Sequence, residues 1–321
     1  MTMLVTVFGG SGFLGRYVVR ALAGAGHRIR VGVRRPNLAN FLLPMGHVGQ
    51  IQIVRTDVTN ADAVARAIRG ADAAVNLVGI LHESGRKRFQ KAHAEAAGNI
   101  GAAASAQSVR SLVHISAIGA TADSPVLYAR SKADGETRVR EAFPDAAILR
   151  PSIVFGPEDR FFNRFAALAR VSPILPLIGG GRTRFQPVYV CDVAEAVLRC
   201  ASDRSTLGLT YELGGPNIYT FKQLMQIVLA ETNRRRLLAP IPFSLAMVQA
   251  SVLGLMPNPM LTRDQVQLLR RDNVVSHGVR TLADLDIAPE AVEAVIPTYL
   301  WRFRREGQFE PDPRLPVNAS Q

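Results

Sequence analysis

Two groups of residues carry types and spacings that could do chemistry. Tyr128 and Lys132 lie four apart in Tyr128-Ala129-Arg130-Ser131-Lys132, which puts both side chains on one face of a helix. An ammonium beside a phenol favours the phenolate, so the pair reads as a proton donor and acceptor during hydride transfer, Tyr128 as acid/base and Lys132 as its activator. With six tyrosines and four lysines in 321 residues, chance supplies this spacing roughly 0.07 times per chain. The second group is Gly9, Gly10, Ser11, Gly12, Phe13, Leu14 and Gly15. It reads either as Gly10-x-Gly12-x-x-Gly15 or as Gly9-x-x-Gly12-x-x-Gly15. In both frames the glycines allow a tight turn and bring backbone N–H groups close to a pyrophosphate at a helix N-terminus.

Such a loop needs a strand before it and a helix after it. Val5-Thr6-Val7-Phe8 is the strand, and Val18, Val19 and Leu22 recur at helical spacing. A second strand covers Ile29–Val33, a third Ile51–Arg55, a fourth Ala73–Gly79 and a fifth Ser111–Ser116, with helical sequence over Ala61–Arg69 and Phe89–Gln107 between them. Alternating strands and helices predict an α/β fold, a doubly wound parallel sheet of Rossmann type. Ligands of such sheets sit at the carboxyl ends of the strands. That edge collects Asp57 and Val58, then Leu77, Val78 and Gly79, then Ser116, around the glycine loop. At the end of the second strand Arg34 and Arg35 stand where an acidic residue would hold the ribose hydroxyls of NAD(H); arginine pairs instead with the 2′-phosphate of NADP(H), the expected cofactor. The other reading of these two arginines is plain solvated charge, since only four of the 38 basic residues are lysine and the chain is arginine-rich throughout.

The formal charge of +12 and a pI near 10.6 suit an acidic partner: a nucleotide, a nucleic acid or an anionic membrane surface. Cys191 and Cys200 have neither metal-ligand nor CxxC spacing, so no metal site or disulfide framework is expected. The first strand starts within a few residues of Met1, which leaves no room for a targeting peptide and predicts a cytoplasmic protein. Thr220-Phe221-Lys222-Gln223 has capping-box spacing and starts a helix. Leu237–Met256 is largely apolar, but its proline-free part, Phe243–Met256, is shorter than the 20 or so residues that cross a bilayer. Two readings stay open for it: a peripheral membrane contact through 237–256 at the inner face of the plasma membrane, with Arg234, Arg235 and Arg236 toward lipid phosphates, or a buried helix. Tyr299-Leu300-Trp301-Arg302-Phe303-Arg304-Arg305 interleaves aromatics with arginines, but no nucleic-acid motif accompanies it; it reads as a solvated amphipathic helix end, and no nucleic acid is expected. His82 is placed near the nicotinamide and His114 in the core as a satisfied strand residue.

The glycine loop, the strand–helix rhythm and Tyr128-x-x-x-Lys132 together resemble the extended or atypical short-chain dehydrogenase/reductase superfamily, as do Leu149-Arg150-Pro151-Ser152-Ile153-Val154-Phe155-Gly156-Pro157 and Gln186-Pro187-Val188-Tyr189-Val190-Cys191-Asp192-Val193-Ala194. The resemblance covers about residues 4 to 235 and places Pro151 at the cofactor. Within that superfamily, Leu43-Pro44-Met45-Gly46-His47-Val48-Gly49-Gln50, Glu158-Asp159-Arg160-Phe161-Phe162-Asn163-Arg164-Phe165 and the Gln186-Pro187-Val188-Tyr189-Val190 run resemble the nucleotide-binding accessory subunits of respiratory complex I and their bacterial relatives. This resemblance implies a tightly held NADPH with a structural role, in the assembly or stability of complex I or in quinone metabolism nearby, and complex I or another membrane-associated complex as partner. Active members of the superfamily carry a hydroxyl residue just after the fifth strand; Ala117 stands there, and Ser116 is one residue early, which on a strand means the other face. Tyr128 and Lys132 then hold the nicotinamide ribose. The alternatives are an active NADP-dependent reductase, epimerase or dehydratase, and an NADP(H)-sensing regulator. The expected division is a dinucleotide-binding domain over 1–235, with 155–187 contributing to a small, mainly helical C-terminal lobe over 236–306, and a disordered tail over 307–321.

Overall fold

The computed structural model describes residues 2–80, 89–253 and 261–309. The expected position of His82, the end of the apolar stretch at 254–256, and the tail at 310–321 lie outside the described residues. The chain forms two compact units.

The first unit comprises Met1–Ser152, Val190–Gly214 and Val275–Ala288. Its centre is a seven-stranded sheet: β1 (Leu4–Phe8), β2 (Arg28–Val33), β3 (Ile51–Arg55), β4 (Ala73–Asn76), β5 (Ser111–Ile115), β6 (Ala147–Pro151) and β7 (Thr210–Leu213). The spatial order is β7-β6-β5-β4-β1-β2-β3, and every neighbouring pair is parallel. The helices α1 (Phe13–Gly24), α2 (Ala61–Ile68), α3 (Ala96–Ala106), α4 (Leu127–Ala142) and α5 (Val190–Ser202) complete it. Parallel strands covered on both faces read as continuous apolar runs rather than alternations; β5, Ser-Leu-Val-His-Ile, is buried along its whole length. Phe8, Ile68, Ile100, Leu112 and Val139 share one apolar core of this unit. Strand order reverses between β1 and β4, the place where doubly wound sheets bind ligands.

Three local expectations change. β4 ends at Asn76 rather than Gly79, because the Asn76 side-chain oxygen accepts the Val78 N–H (3.0 Å) and turns the chain out of the sheet. The helical sequence from Phe89 opens with a π-turn over Gln90–Glu95 before α3 begins. The sixth and seventh strands extend the sheet beyond the five read from sequence.

The second unit comprises Ile153–Tyr189, Gly215–Val274 and Pro289–Gln321. Helices over Phe162–Val171 and Phe221–Glu231 and a parallel strand pair, Ile174–Ile178 with Leu237–Ile241, surround a core rich in aromatics, among them Phe155, Phe162, Phe185 and Phe221. The capping box is present, with Thr220 and Gln223 satisfying each other's backbone N–H groups.

The division therefore departs from a boundary at 235. Residues 215–235 bury Phe221, Leu224, Met225 and Val228 in the second unit's core, while 275–288 belongs to the first because Glu212 of β7 donates its backbone N–H to the Arg280 carbonyl (2.8 Å). The apolar stretch from Leu237 splits into a strand and a helix, Phe243–Leu253. That helix buries Ala246 and Ala250 and exposes Leu245 and Val248, so it is neither fully buried nor free. Arg234 and Arg236 are not aimed at lipid: Arg234 donates to the Phe303 carbonyl and Arg236 to the Ala169 carbonyl. The 299–305 stretch is likewise no solvated helix end, since Tyr299 and Leu300 are core residues and Arg304 is buried against Glu231. Residues Gly307–Phe309 form a 3-10 turn. Among the described residues no helix is long and apolar enough to cross a membrane.

Candidate functional site

The glycine loop joins β1 to α1. Gly9 takes φ +82°, and a Cβ there would sit 3.1 Å from the Leu77 carbonyl at the end of β4. A Cβ on Gly15 would collide with the Gly9 carbonyl and the Gly10 backbone, so both positions demand glycine for close approach of chain to chain. The Gly12 N–H donates to the Gly9 carbonyl (3.0 Å), and the Gly12 carbonyl receives the Arg16 N–H (3.2 Å). Among the described residues no side chain caps α1, and no acidic residue stands in its first turn. Its first backbone N–H groups are thus left for an anion, with the helix dipole favouring negative charge. Ser11, Phe13 and Leu14, all half-buried, complete the turn.

Arg34 and Arg35 follow β2 and are exposed. Asp57, after β3, accepts the Thr59 N–H (3.0 Å) and hydroxyl (2.8 Å) through one carboxylate oxygen. These bonds, with the Arg34 charge adding to them, hold its carboxyl below the usual range. The Val58 carbonyl receives the Asn99 side-chain amide (3.1 Å), which pins this loop to α3. Asn99 lay in an alanine-rich stretch and gave no sequence signal.

At the other end of the crevice, the π-turn places His93 where its Nε2 accepts the Ile80 N–H (3.0 Å) and its Nδ1 meets the Ser131 hydroxyl (2.9 Å). Ser131 in turn donates to the Tyr128 carbonyl (2.8 Å). His93 therefore ties the segment after Leu77, Val78 and Gly79 to the helix bearing Tyr128 and Lys132. It stacks on Phe89 and meets the Tyr128 ring edge-on. Burial, with the charge of Lys132 behind it, lowers His93 to about 2, so it acts as a neutral linker. His114 is only half satisfied: its Nδ1 pairs with the Asn76 amide (3.0 Å), while its buried Nε2 has no partner among the described residues. Burial takes it down to about 3.

Lys132 is buried and donates to the Ile115 carbonyl (3.0 Å), and burial brings its ammonium down to about 8. A Cβ on Gly79 would lie 3.4 Å from its Nζ. Tyr128 departs from the expected phenolate-favouring state: burial pushes its hydroxyl up to about 12. Ala117 offers no hydroxyl. Ser116 is buried, its N–H donates to the Leu149 carbonyl (2.8 Å), and its hydroxyl has no partner among the described residues. The Pro151 carbonyl receives the Ile118 N–H (3.1 Å) and fixes the segment past β5.

The residues fit a dinucleotide: an uncapped helix N-terminus, a cradle that side chains would fill, two exposed guanidiniums beside it and an orphaned buried hydroxyl.

A family model described as the NAD dependent epimerase/dehydratase family matches residues 5–214. NADH dehydrogenase (ubiquinone) 1 alpha subcomplex subunit 9, mitochondrial, of Arabidopsis thaliana is 33% identical over 317 residues, covering 95% of this chain and 79% of that protein. The protein of the same description from Mus musculus is 32% identical over 295 residues, covering 91% and 78%. The NADPH-dependent quinone oxidoreductase QOR2 of Escherichia coli, solved in complex with NADPH, superposes with a TM-score of 0.73 at 20% identity, covering 92% of this chain and 99% of that one; at this identity the likeness is one of fold.

Proposed function

The chain belongs to the NAD-dependent epimerase/dehydratase family, and from that premise we propose that it holds NADPH without turning it over, as an accessory protein of respiratory complex I. The observation that carries this reading is the contrast between the two halves of the site. The cradle is complete, whereas the proton-transfer half lacks a hydroxyl at Ala117 and its Lys132 ammonium donates to the Ile115 carbonyl (3.0 Å). The homology to complex I subunits over nine-tenths of the chain supports the partner.

In this reading the N–H groups of Phe13, Leu14 and Gly15 at the start of α1 receive the pyrophosphate, with Gly9, Gly10, Ser11 and Gly12 forming the turn beneath it; Arg34 and Arg35 receive the 2′-phosphate, and Asp57 and Val58 border the adenine. Leu77, Val78, Gly79, Ser116 and Pro151 line the crevice toward the nicotinamide, and Tyr128 and Lys132 donate to its ribose hydroxyls. NADPH supplies a hydride donor when bound; here its contribution is stability, because a ligand of the native state alone adds RT ln(1 + [L]/Kd). The Tyr128-x-x-x-Lys132 pair retained on α4 favours a second reading, an active NADP-dependent reductase or epimerase with Tyr128 as acid/base.

Tyr128→Phe separates the two. On the accessory reading the variant loses at most one ribose hydrogen bond, so NADPH binding weakens by no more than about tenfold, while the complex I level holds and the cell loses no activity. Loss of a cellular activity with binding and complex intact would establish the enzyme.

A further inference from the structure

Lys132 is 5% exposed, and its ammonium, which carries three N–H donors, makes one hydrogen bond among the described residues, to the Ile115 carbonyl (3.0 Å). Beside it the chain leaves room. Gly79 is exposed, and a Cβ there would stand 3.4 Å from Lys132 Nζ and 3.7 Å from His93 Nε2. The space that a side chain would fill thus lies against the ammonium.

The titratable groups around it, among the described residues, are committed elsewhere or uncharged. On the π-turn, His93 Nε2 accepts the Ile80 N–H, which puts the proton of that ring on Nδ1, toward Ser131. On β5, the Asn76 side-chain oxygen is taken by the Val78 N–H, so its amide nitrogen donates to His114 Nδ1 and the proton of this second ring sits on Nε2. Neither imidazole therefore offers Lys132 an acceptor. On α4, Tyr128 keeps its proton, its hydroxyl pushed up by burial, and Glu136 gives both carboxylate oxygens to Arg150 of β6 (2.9 and 2.6 Å). A buried ammonium short of acceptors holds its proton weakly; burial brings Lys132 down to about 8, with the Glu136 charge pulling the other way.

We propose that Lys132 couples the nucleotide to a proton: NADPH supplies the missing acceptors through its ribose hydroxyls, so the chain takes up a proton as NADPH enters and loosens its hold as the surroundings turn alkaline. This rests on the reading that Lys132 meets the nicotinamide ribose, and adds a control on when the nucleotide stays. The sign follows from linkage: a ligand that prefers the charged group raises its pKa, and is bound more weakly once that group is neutral. The phosphates of NADPH do not produce this dependence, because the second pKa of a phosphate monoester is about 6, below the range in question.

The test titrates the full chain with NADPH between about pH 7 and pH 9. Calorimetry in buffers of different ionisation enthalpy counts the protons, and nitrogen-15 spectra of the ammonium groups, four lysines in this chain, follow Lys132 itself. The expected results are a Kd about tenfold larger at pH 9 than at pH 7 and about half a proton taken up per nucleotide at pH 8. The Lys132 midpoint rises from about 8 in the empty chain to about 10 or above with NADPH bound. Lys132→Arg, which stays charged throughout, and Lys132→Met, which never is, both lose the slope, whatever their affinity at pH 7. A Kd independent of pH with no proton taken up overturns the proposal, as does a Lys132 midpoint that NADPH does not move or a slope that survives in either variant. A chain that binds no NADPH at any pH overturns the cofactor reading itself, and the coupling with it.

Discussion

A Cβ at Gly15 has no room between the Gly9 carbonyl and the Gly10 backbone. Gly15→Ala is therefore expected to weaken NADPH binding at least tenfold and to cost about 1–3 kcal/mol of stability, the usual cost of overpacking a close contact, read by titration and urea unfolding. Arg34→Ala with Arg35→Ala is expected to weaken NADPH binding about tenfold to a hundredfold, on the scale of about 1.5–3 kcal/mol for charge-assisted hydrogen bonds, and to leave NADH binding unchanged. Equal losses for both nucleotides would remove the 2′-phosphate role. His93 and His114 sit near 2 and 3 in the fold and near 6.5 when unfolded. The unfolded chain thus binds more protons between these values, and their stabilisation, complete above pH 6.5, is lost as pH falls. Each contributes a slope of about 1.4 kcal/mol per pH unit below 6.5, and His114→Asn should remove one of the two. Tyr128, Lys132 and the glycines were legible because their chemistry is written at short fixed spacing. His93 was not: its role comes from a π-turn and from Ile80 and Ser131, which only the folded chain brings together.

Elements announced by local rules were found in order, though not always to their ends, as β4 and the π-turn before α3 show; those defined by distant pairing were missed. The box at Thr220 needs only four residues, and Thr220→Ala should cost about 1 kcal/mol, measurable as a lower denaturant midpoint at unchanged slope. β1 to β5 alternate with helices and could be followed in order. β7 begins 59 residues beyond the end of β6 and is paired to it through Thr210 opposite Ile148, a register no local pattern encodes. The apolar stretch from Leu237 misled for a related reason. Its first part is a strand whose partner, Ile174–Ile178, lies more than fifty residues earlier. The arginines before it are consumed by the Phe303 and Ala169 carbonyls, contacts that composition cannot show.

For the whole molecule the account makes NADPH part of the native structure. At a hundred times its Kd the nucleotide should add about 2.7 kcal/mol to the stability of the chain, seen as a raised melting temperature. The family and the parallel sheet follow from a sequence rhythm that covers the first half of the chain, whereas the repeated crossing between units at 152, 189, 214, 274 and 288 does not, because each crossing is decided by which core buries the segment. The central claim, a held cofactor that serves attachment, is tested most directly by native electrophoresis of gently solubilised membranes, probing for this chain and assaying the nucleotide in the band, before and after NADPH is stripped. The account predicts comigration with complex I, NADPH in the band, and loss of both attachment and melting temperature on stripping. Recovery only as a small free species, or attachment and melting that ignore the loss of NADPH, would contradict it.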